Sequence, residues 1–152
     1  MSQDGADINL EMSLGYLLKE ASSALREAME EVLRPLGMSV THYSCLELLA
    51  QRPGLSNSEL ARGAFVTRQT MNVLLQALEQ DGYVTRPARA PVGKVLPARL
   101  TPRGRRSLEK ASTAVRPVEV RMLAGRTETE QSAAFRILRS MVRSLRDGND
   151  GT

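Results

Sequence analysis

The chain has 152 residues, 41% hydrophobic and 25% charged, the balance of a globular protein with enough apolar mass for a real core. It carries a net charge of +4 with one Cys, one His and no Trp, which excludes an internal disulfide framework, leaves a zinc site short of ligands within one chain, and gives a catalytic triad few routes to form. No run of 18 apolar residues marks a membrane span, and the acidic, polar residues 1–7 do not read as a signal peptide; a cytoplasmic protein that is no enzyme and needs no metal or cofactor is expected.

In chain order, residues 9–36 read as a long amphipathic helix. Leu10, Leu14, Leu17, Leu18, Ala21, Leu25, Ala28, Met29, Val32 and Leu33 recur at helical spacing, and Pro35 and Gly37 end the run. A second helix over about 41–51 presents Tyr43, Leu46, Leu49 and Ala50, and Pro53-Gly54 is a turn. Ser56 and Glu59 fit a capping box for a short helix ending near Gly63. Thr67 caps another helix running to about Asp81, with Gly82 supplying the left-handed position behind it. Two short helices with a tight Gly-containing connection form a helix-turn-helix pattern. Residues 83–86 and 95–100 are β-prone, and the Pro- and Gly-containing segment 87–94 between them is a loop, so a two-stranded hairpin is expected. Thr101-Pro102 opens a helix to about Ala124 with a kink at Pro117. Thr127 and Glu130 cap a last helix to about Arg146, with Phe135, Leu138, Met141, Val142 and Leu145 expected to be buried.

The net charge conceals a strong asymmetry. Residues 1–50 hold three basic and eight acidic side chains, whereas residues 82–108 hold Arg86, Arg89, Lys94, Arg99, Arg103, Arg105 and Arg106 with no acid. A basic block of this kind is the footprint of a polyanion partner. It follows a helix that sorts into two faces. Met71, Leu74, Leu75 and Leu78 point one way; Arg68, Gln69, Asn72 and Gln76 point the other, with Thr70 and Val73 beside them. Arg can fork onto guanine, and Asn or Gln onto adenine, so such a face near a helix N-terminus suits reading of the DNA major groove. Thr67 and Thr70 suit phosphate contact. Any surface helix also has a polar face; the capped helix before it and the basic hairpin after it favour DNA.

The order of these motifs resembles the MarR family of bacterial transcriptional regulators. The resemblance rests on Leu55-Ser56-Asn57-Ser58-Glu59-Leu60-Ala61, on the run from Thr67 through Asp81-Gly82-Tyr83-Val84-Thr85-Arg86, and on Leu100-Thr101-Pro102-Arg103-Gly104, and extends over about residues 9–147. It implies a mainly α fold with a small β-hairpin wing: a winged helix-turn-helix with long N- and C-terminal dimerisation helices. On this reading residues 9–36 and 102–147 form the helical dimerisation domain, and residues 37–101 the DNA-binding domain. The family's wing usually carries Asp and Arg two positions apart; here the corresponding positions hold Val92, Gly93 and Lys94, so the charge survives without its acidic partner. Arg89 and Lys94 are expected to serve phosphate or minor-groove contact, and Arg86 is counted among the DNA-binding residues.

The expected function is that of a sequence-specific, homodimeric DNA-binding repressor released by a small-molecule ligand; a winged-helix protein-interaction module without DNA binding is the alternative, and it would show an acidic or apolar recognition face. Of the signals to which such regulators respond, oxidation would need Cys45, which sits on a core-like helix and reads as a buried structural thiol. His42 and Cys45, three residues apart, are too few to hold a metal. For a small ligand, Met12, Tyr16, His42 and Tyr43 are the candidate contacts, combining apolar surface with a few polar groups.

Overall fold

The computed structural model describes residues 7–86 and 98–147. The expected helix over 9–36 is divided by its own side chains. Asn9 Oδ1 accepts from the Glu11 N–H at 3.1 Å and caps a single 3-10 turn, Leu10–Met12. Ser13 Oγ then accepts from the Tyr16 N–H at 3.2 Å and starts α1, Leu14–Leu33. At the far end Pro35 has no N–H to continue the ladder, so the chain tightens into a 3-10 turn, Arg34–Leu36.

Helix α2, Val40–Gln51, is capped by Ser39, and α3, Asn57–Gly63, by the reciprocal Ser56–Glu59 box. The Ser56 N–H, which donates to Glu59 Oε1 at 3.1 Å, and the Ser56 hydroxyl beside it hold the Glu59 carboxyl below its ordinary range. Helix α4, Arg68–Gln80, begins at Thr67, whose Oγ1 accepts from the Thr70 N–H at 3.1 Å. It closes on Gly82, at φ 81°, with the Tyr83 N–H donating back to the Leu78 carbonyl at 2.9 Å. Because Tyr83 is committed to that closure, the following strand is shorter than its β-prone sequence. Strands β1, Val84–Thr85, and β2, Arg99–Leu100, pair antiparallel with Val84 opposite Leu100. The hairpin's connecting loop lies outside the described residues.

Helix α5, Pro102–Leu123, starts at Thr101, whose hydroxyl accepts from the Gly104 N–H at 3.0 Å and donates to the Gly82 carbonyl at 2.6 Å. Pro117 lies inside α5. Thr127 and Glu130 cap α6, Glu128–Asp147, reciprocally.

The chain divides into two compact units, residues 1–118 and 119–152. The first holds the core: Leu33 from α1, Cys45 and Leu46 from α2, Leu60 from α3, Met71, Leu75 and Leu78 from α4, Val84 from β1, and Leu108 and Ala111 from α5. Full burial of a Leu or Met side chain contributes about 1.5–3 kcal/mol, so this cluster sets the pose of α3 and α4. The second unit holds α6, in which no residue is buried. The expected burial of Phe135, Leu138, Met141, Val142 and Leu145 is therefore not met within one chain: Met141 is half-buried and the other four are exposed. Leu10, Leu14, Leu17 and Leu18 at the start of the first unit are exposed as well. Helical periodicity identifies an apolar stripe, but a stripe is buried only where another element covers it.

Candidate nucleic-acid interface

Helix α4 is a scaffold with one face locked and one free. Met71 and Leu75 are fully buried, three and seven residues after Arg68. Helical geometry therefore turns Gln69, Asn72, Val73 and Gln76 outward, and Arg68, in the first turn, is exposed with them. Val73 adds an exposed apolar group suited to a thymine methyl.

The N-terminal end of this face is not built by α4 alone. Ser56, Asn57 and Ser58 of α3 join Arg68, Gln69 and Asn72 around an open groove of about 430 Å³. Across it the Asn57 Nδ2 donates to Asn72 Oδ1 at 2.6 Å. Asn72 Oδ1 keeps a second lone pair and its Nδ2 keeps both donors, so the side chain is held in place with its recognition edge still usable.

The two threonines have different duties. Thr67 Oγ1 accepts the Thr70 N–H and donates to Thr70 Oγ1 at 3.0 Å, so it is engaged in the cap. Thr70, receiving that bond, keeps its own hydroxyl proton for an outside acceptor. Arg86 sits apart from the groove, its Nε 3.2 Å from Glu79 Oε2 in the last turn of α4. With a rise of about 1.5 Å per residue, that turn lies about 16 Å along the helix from Arg68. Arg89 and Lys94 lie outside the described residues.

Of the four expected ligand contacts, Met12 and Tyr16 are exposed near the N-terminus, and His42 and Tyr43 are half-buried on α2. The His42 ring meets Tyr83 edge-on, centroids 5.4 Å apart. Burial lowers the His42 pKa, partly opposed by the negative charge of Asp81. Cys45 is fully buried, and burial pushes its thiol up to about 11; an inert structural thiol is the consequence. No cluster of three metal-ligating side chains occurs among the described residues.

Asn57 is a site residue that sequence reasoning misses. Its only sequence signal is a place at the start of a capped helix, fifteen residues before its partner, and packing of α3 on α4 is what joins them. Nothing in the sequence pairs Tyr83 with Arg103 either. The Arg103 guanidinium lies 4.8 Å above the Tyr83 ring centroid, and its Nη2 donates to the Tyr83 hydroxyl at 3.4 Å.

Comparison with known proteins agrees with this geometry. The MarR family model matches residues 36–94, from the 3-10 turn after α1 into the segment between β1 and β2. The HTH-type transcriptional repressor Rv2887 of Mycobacterium tuberculosis is 44% identical over 128 residues, 84% of this chain and 92% of that protein. The crystal structure of Rv2887 with salicylic acid aligns with a TM-score of 0.71 at 42% identity, covering 90% of this chain and 98% of that one. Its complex with DNA aligns with a TM-score of 0.68 at 42% identity, covering 85% and 97%. With its buried helix-turn-helix core, its outward-facing Arg68, Gln69 and Asn72, and this level of identity along nearly the whole chain, the protein belongs to the MarR family of winged-helix transcriptional regulators.

Proposed function

We propose that this chain is a cytoplasmic, homodimeric repressor that reads DNA with the outer face of α4 and is released by a small-molecule effector, without enzymatic activity. The observation that carries the reading is the pre-positioned Asn72, held by Asn57 beside Arg68 and Gln69 on a helix whose opposite face is locked in the core. Arg68, Gln69, Asn72 and Gln76 are assigned to base edges, and Thr70 to phosphate, with Thr67 acting through it by holding the Thr70 hydroxyl. Arg86, Arg89 and Lys94 are assigned to the flanking backbone, which requires Arg86 to exchange Glu79 for phosphate. The face is basic and polar, unlike the acidic or apolar face a protein-interaction module would present. Rv2887 is a repressor solved with DNA and with salicylic acid, and this chain is proposed to share both kinds of partner. No helix among the described residues is long and apolar enough to cross a membrane.

The exposed apolar stripes supply the dimer. Leu14, Leu17 and Leu18 on α1 and Phe135, Leu138 and Val142 on α6 face water in a single chain. Exposed apolar stripes of this length mark association surfaces. We assign residues 9–36 and 102–147 to dimerisation and residues 37–101 to DNA binding. Two-fold pairing would set two copies of α4 about 34 Å apart, the spacing of successive major-groove half-sites.

The test is a gel shift with DNA from upstream of the chain's own gene, against unrelated DNA at moderate salt, with sedimentation in parallel. Wild type is expected to sediment as a dimer and to shift the upstream DNA selectively, and the double variant Arg68→Ala, Asn72→Ala to lose that selectivity. A monomer at micromolar concentration, or equal retention of both DNAs by wild type, would overturn the reading.

A further inference from the structure

The turn between α3 and α4 carries one side chain that the folded chain does not use. Among the described residues, Phe65 is the only non-glycine at positive φ, 59°. In that region a Cβ crowds the following carbonyl, so a Phe costs stability that a Gly would not. Packing does not offset the cost. Ala64 and Val66 on either side pack partly against the core, whereas Phe65 is 85% exposed. The turn itself separates them. The Phe65 N–H closes α3 on the Arg62 carbonyl at 3.3 Å and the Val66 N–H returns to the Ala61 carbonyl at 3.0 Å, which leaves the Phe65 ring on the outside of the bend. Strain kept at a side chain without packing of its own points to function rather than folding.

The place of Phe65 in the chain indicates what its ring meets. It lies two residues before Thr67, the cap of α4, and two residues of chain span at most about 7 Å. Thr67, Arg68, Gln69 and Thr70, which follow, are all exposed, and Arg68 and Gln69 line the open groove at this end of α4. A duplex that sets base edges against Arg68 and Gln69 and a phosphate against Thr70 carries its sugar–phosphate wall past the start of the helix. That wall is not only charge. Between successive phosphates each deoxyribose presents C–H groups, on which an aromatic face packs by dispersion. The surroundings of the ring suit such a surface. Arg62 in the last turn of α3 and Thr67 are exposed and polar, so the ring is a single apolar group among groups that favour phosphate. An apolar protein patch would call for apolar neighbours instead.

We propose that Phe65 is a DNA-contacting residue whose ring packs on a deoxyribose of the groove wall, beside the phosphate held by Thr70, and thereby sets how α4 seats in the groove. The proposal rests on the DNA-reading face described above and adds to it an apolar contact that does not depend on sequence. Because the ring neutralises no phosphate, it releases no counterion, and its contribution is the same for every duplex and at every salt concentration.

The test is fluorescence-anisotropy titration of labelled DNA from upstream of the chain's own gene, and of unrelated DNA, with the full-length protein at several salt concentrations. The proteins are wild type, Phe65→Tyr, Phe65→Ala and Phe65→Gly. The Ala and Gly variants are expected to bind both DNAs at least about fivefold more weakly, by one common factor and with unchanged salt slopes, the effect of leaving part of one ring unburied. Phe65→Tyr keeps the ring and is expected to bind as wild type does. The two ringless variants separate the ring from the turn: Gly relieves the backbone strain and Ala retains it, so their melting temperatures differ while their affinities fall together. Wild-type affinity in both ringless variants would overturn the proposal and leave the ring to a protein partner. Loss in the Gly variant alone would assign the effect to turn flexibility, loss confined to the upstream DNA would assign it to a base edge, and a salt slope smaller by about one unit would assign it to a displaced cation; each of these also overturns the proposal. In all four cases wild type still selects the upstream DNA, so the repressor reading stands. Absence of that selectivity in wild type itself would refute the repressor reading and the contact with it.

Discussion

Asn57 and Asn72, fifteen residues apart in the chain, are joined by a 2.6 Å hydrogen bond that spans the helix-turn-helix. One helix thereby orients an exposed polar side chain on the next. Asn72→Ala is expected to reduce discrimination between the operator and a variant altered at the contacted base by about 1–3 kcal/mol, the value of one bidentate base contact. Asn57→Ala is expected to weaken operator binding by a smaller factor and to leave binding to unrelated DNA unchanged. Competition gel shifts with operator and unrelated DNA measure both.

Gly104 allows α5 to start against the end of α4. A Cβ at this position would lie 2.1 Å from the Tyr83 carbonyl oxygen, a backbone atom that cannot swing aside. Gly104→Ala must therefore push α5 away from Tyr83 and strain the Thr101 bonds to Gly82 and Gly104. A loss of about 1–3 kcal/mol is expected, read as a lower urea midpoint with an unchanged m-value.

Phe65, in the turn between α3 and α4, occupies the left-handed region at φ 59° with its ring 85% exposed. Its N–H donates to the Arg62 carbonyl and the Val66 N–H to the Ala61 carbonyl, the same helix-closing pattern that Gly82 completes behind α4. A bulky residue is strained there, and an exposed ring returns little packing energy. Phe65→Gly is expected to raise stability by about 1 kcal/mol after the greater entropy of Gly in the unfolded chain is counted, a rise of about 2–4 °C in melting temperature. Phe65→Ala keeps the strained backbone and is expected to show no such gain. Thermal melts of the three proteins decide the matter.

His42 makes stability depend on pH. Its pKa in the folded chain is lowered, mainly by burial, so below its ordinary value of 6.5 the unfolded chain takes up a proton more readily than the folded one. Its contribution is intact above about pH 6.5 and declines as pH falls through and below that value. Urea midpoints for wild type are expected to drop between about pH 7.5 and about pH 5.5 by more than those of His42→Gln, which lacks the titrating group. Equal drops in the two proteins would assign the acid sensitivity to other groups.

The local chemistry of the chain is legible in its amino-acid order. Ser56 with Glu59, Thr67, Thr101 and Thr127 with Glu130 cap helices, because a cap is a contact within three or four residues. The 3.6-residue period separates Met71, Leu75 and Leu78, which are buried, from Gln69, Asn72 and Gln76, which are exposed. The long helix over 9–36 is less legible. Its apolar spacing continues past Ser13, but the Ser13 side chain competes for the backbone and restarts the helix there.

The sequence by itself determined most of the helix caps, which face of α4 is polar, and where the positive charge lies, since each depends on neighbours along the chain or on a fixed helical period. Tertiary structure alone decided which distant residues meet: Asn57 with Asn72, Gly104 with the Tyr83 carbonyl, and Tyr83 with Arg103 beside Arg106 and Lys110. It also decided the fate of the apolar stripes. Periodicity marks Leu14 and Leu138 as apolar-face residues as clearly as Leu75, yet only Leu75 is covered within the chain. Burial is a property of two surfaces, and one helix's sequence specifies only one of them. The +4 of the whole chain is likewise distributed by folding, which turns part of the basic block between residues 82 and 108 into the wall of a cavity.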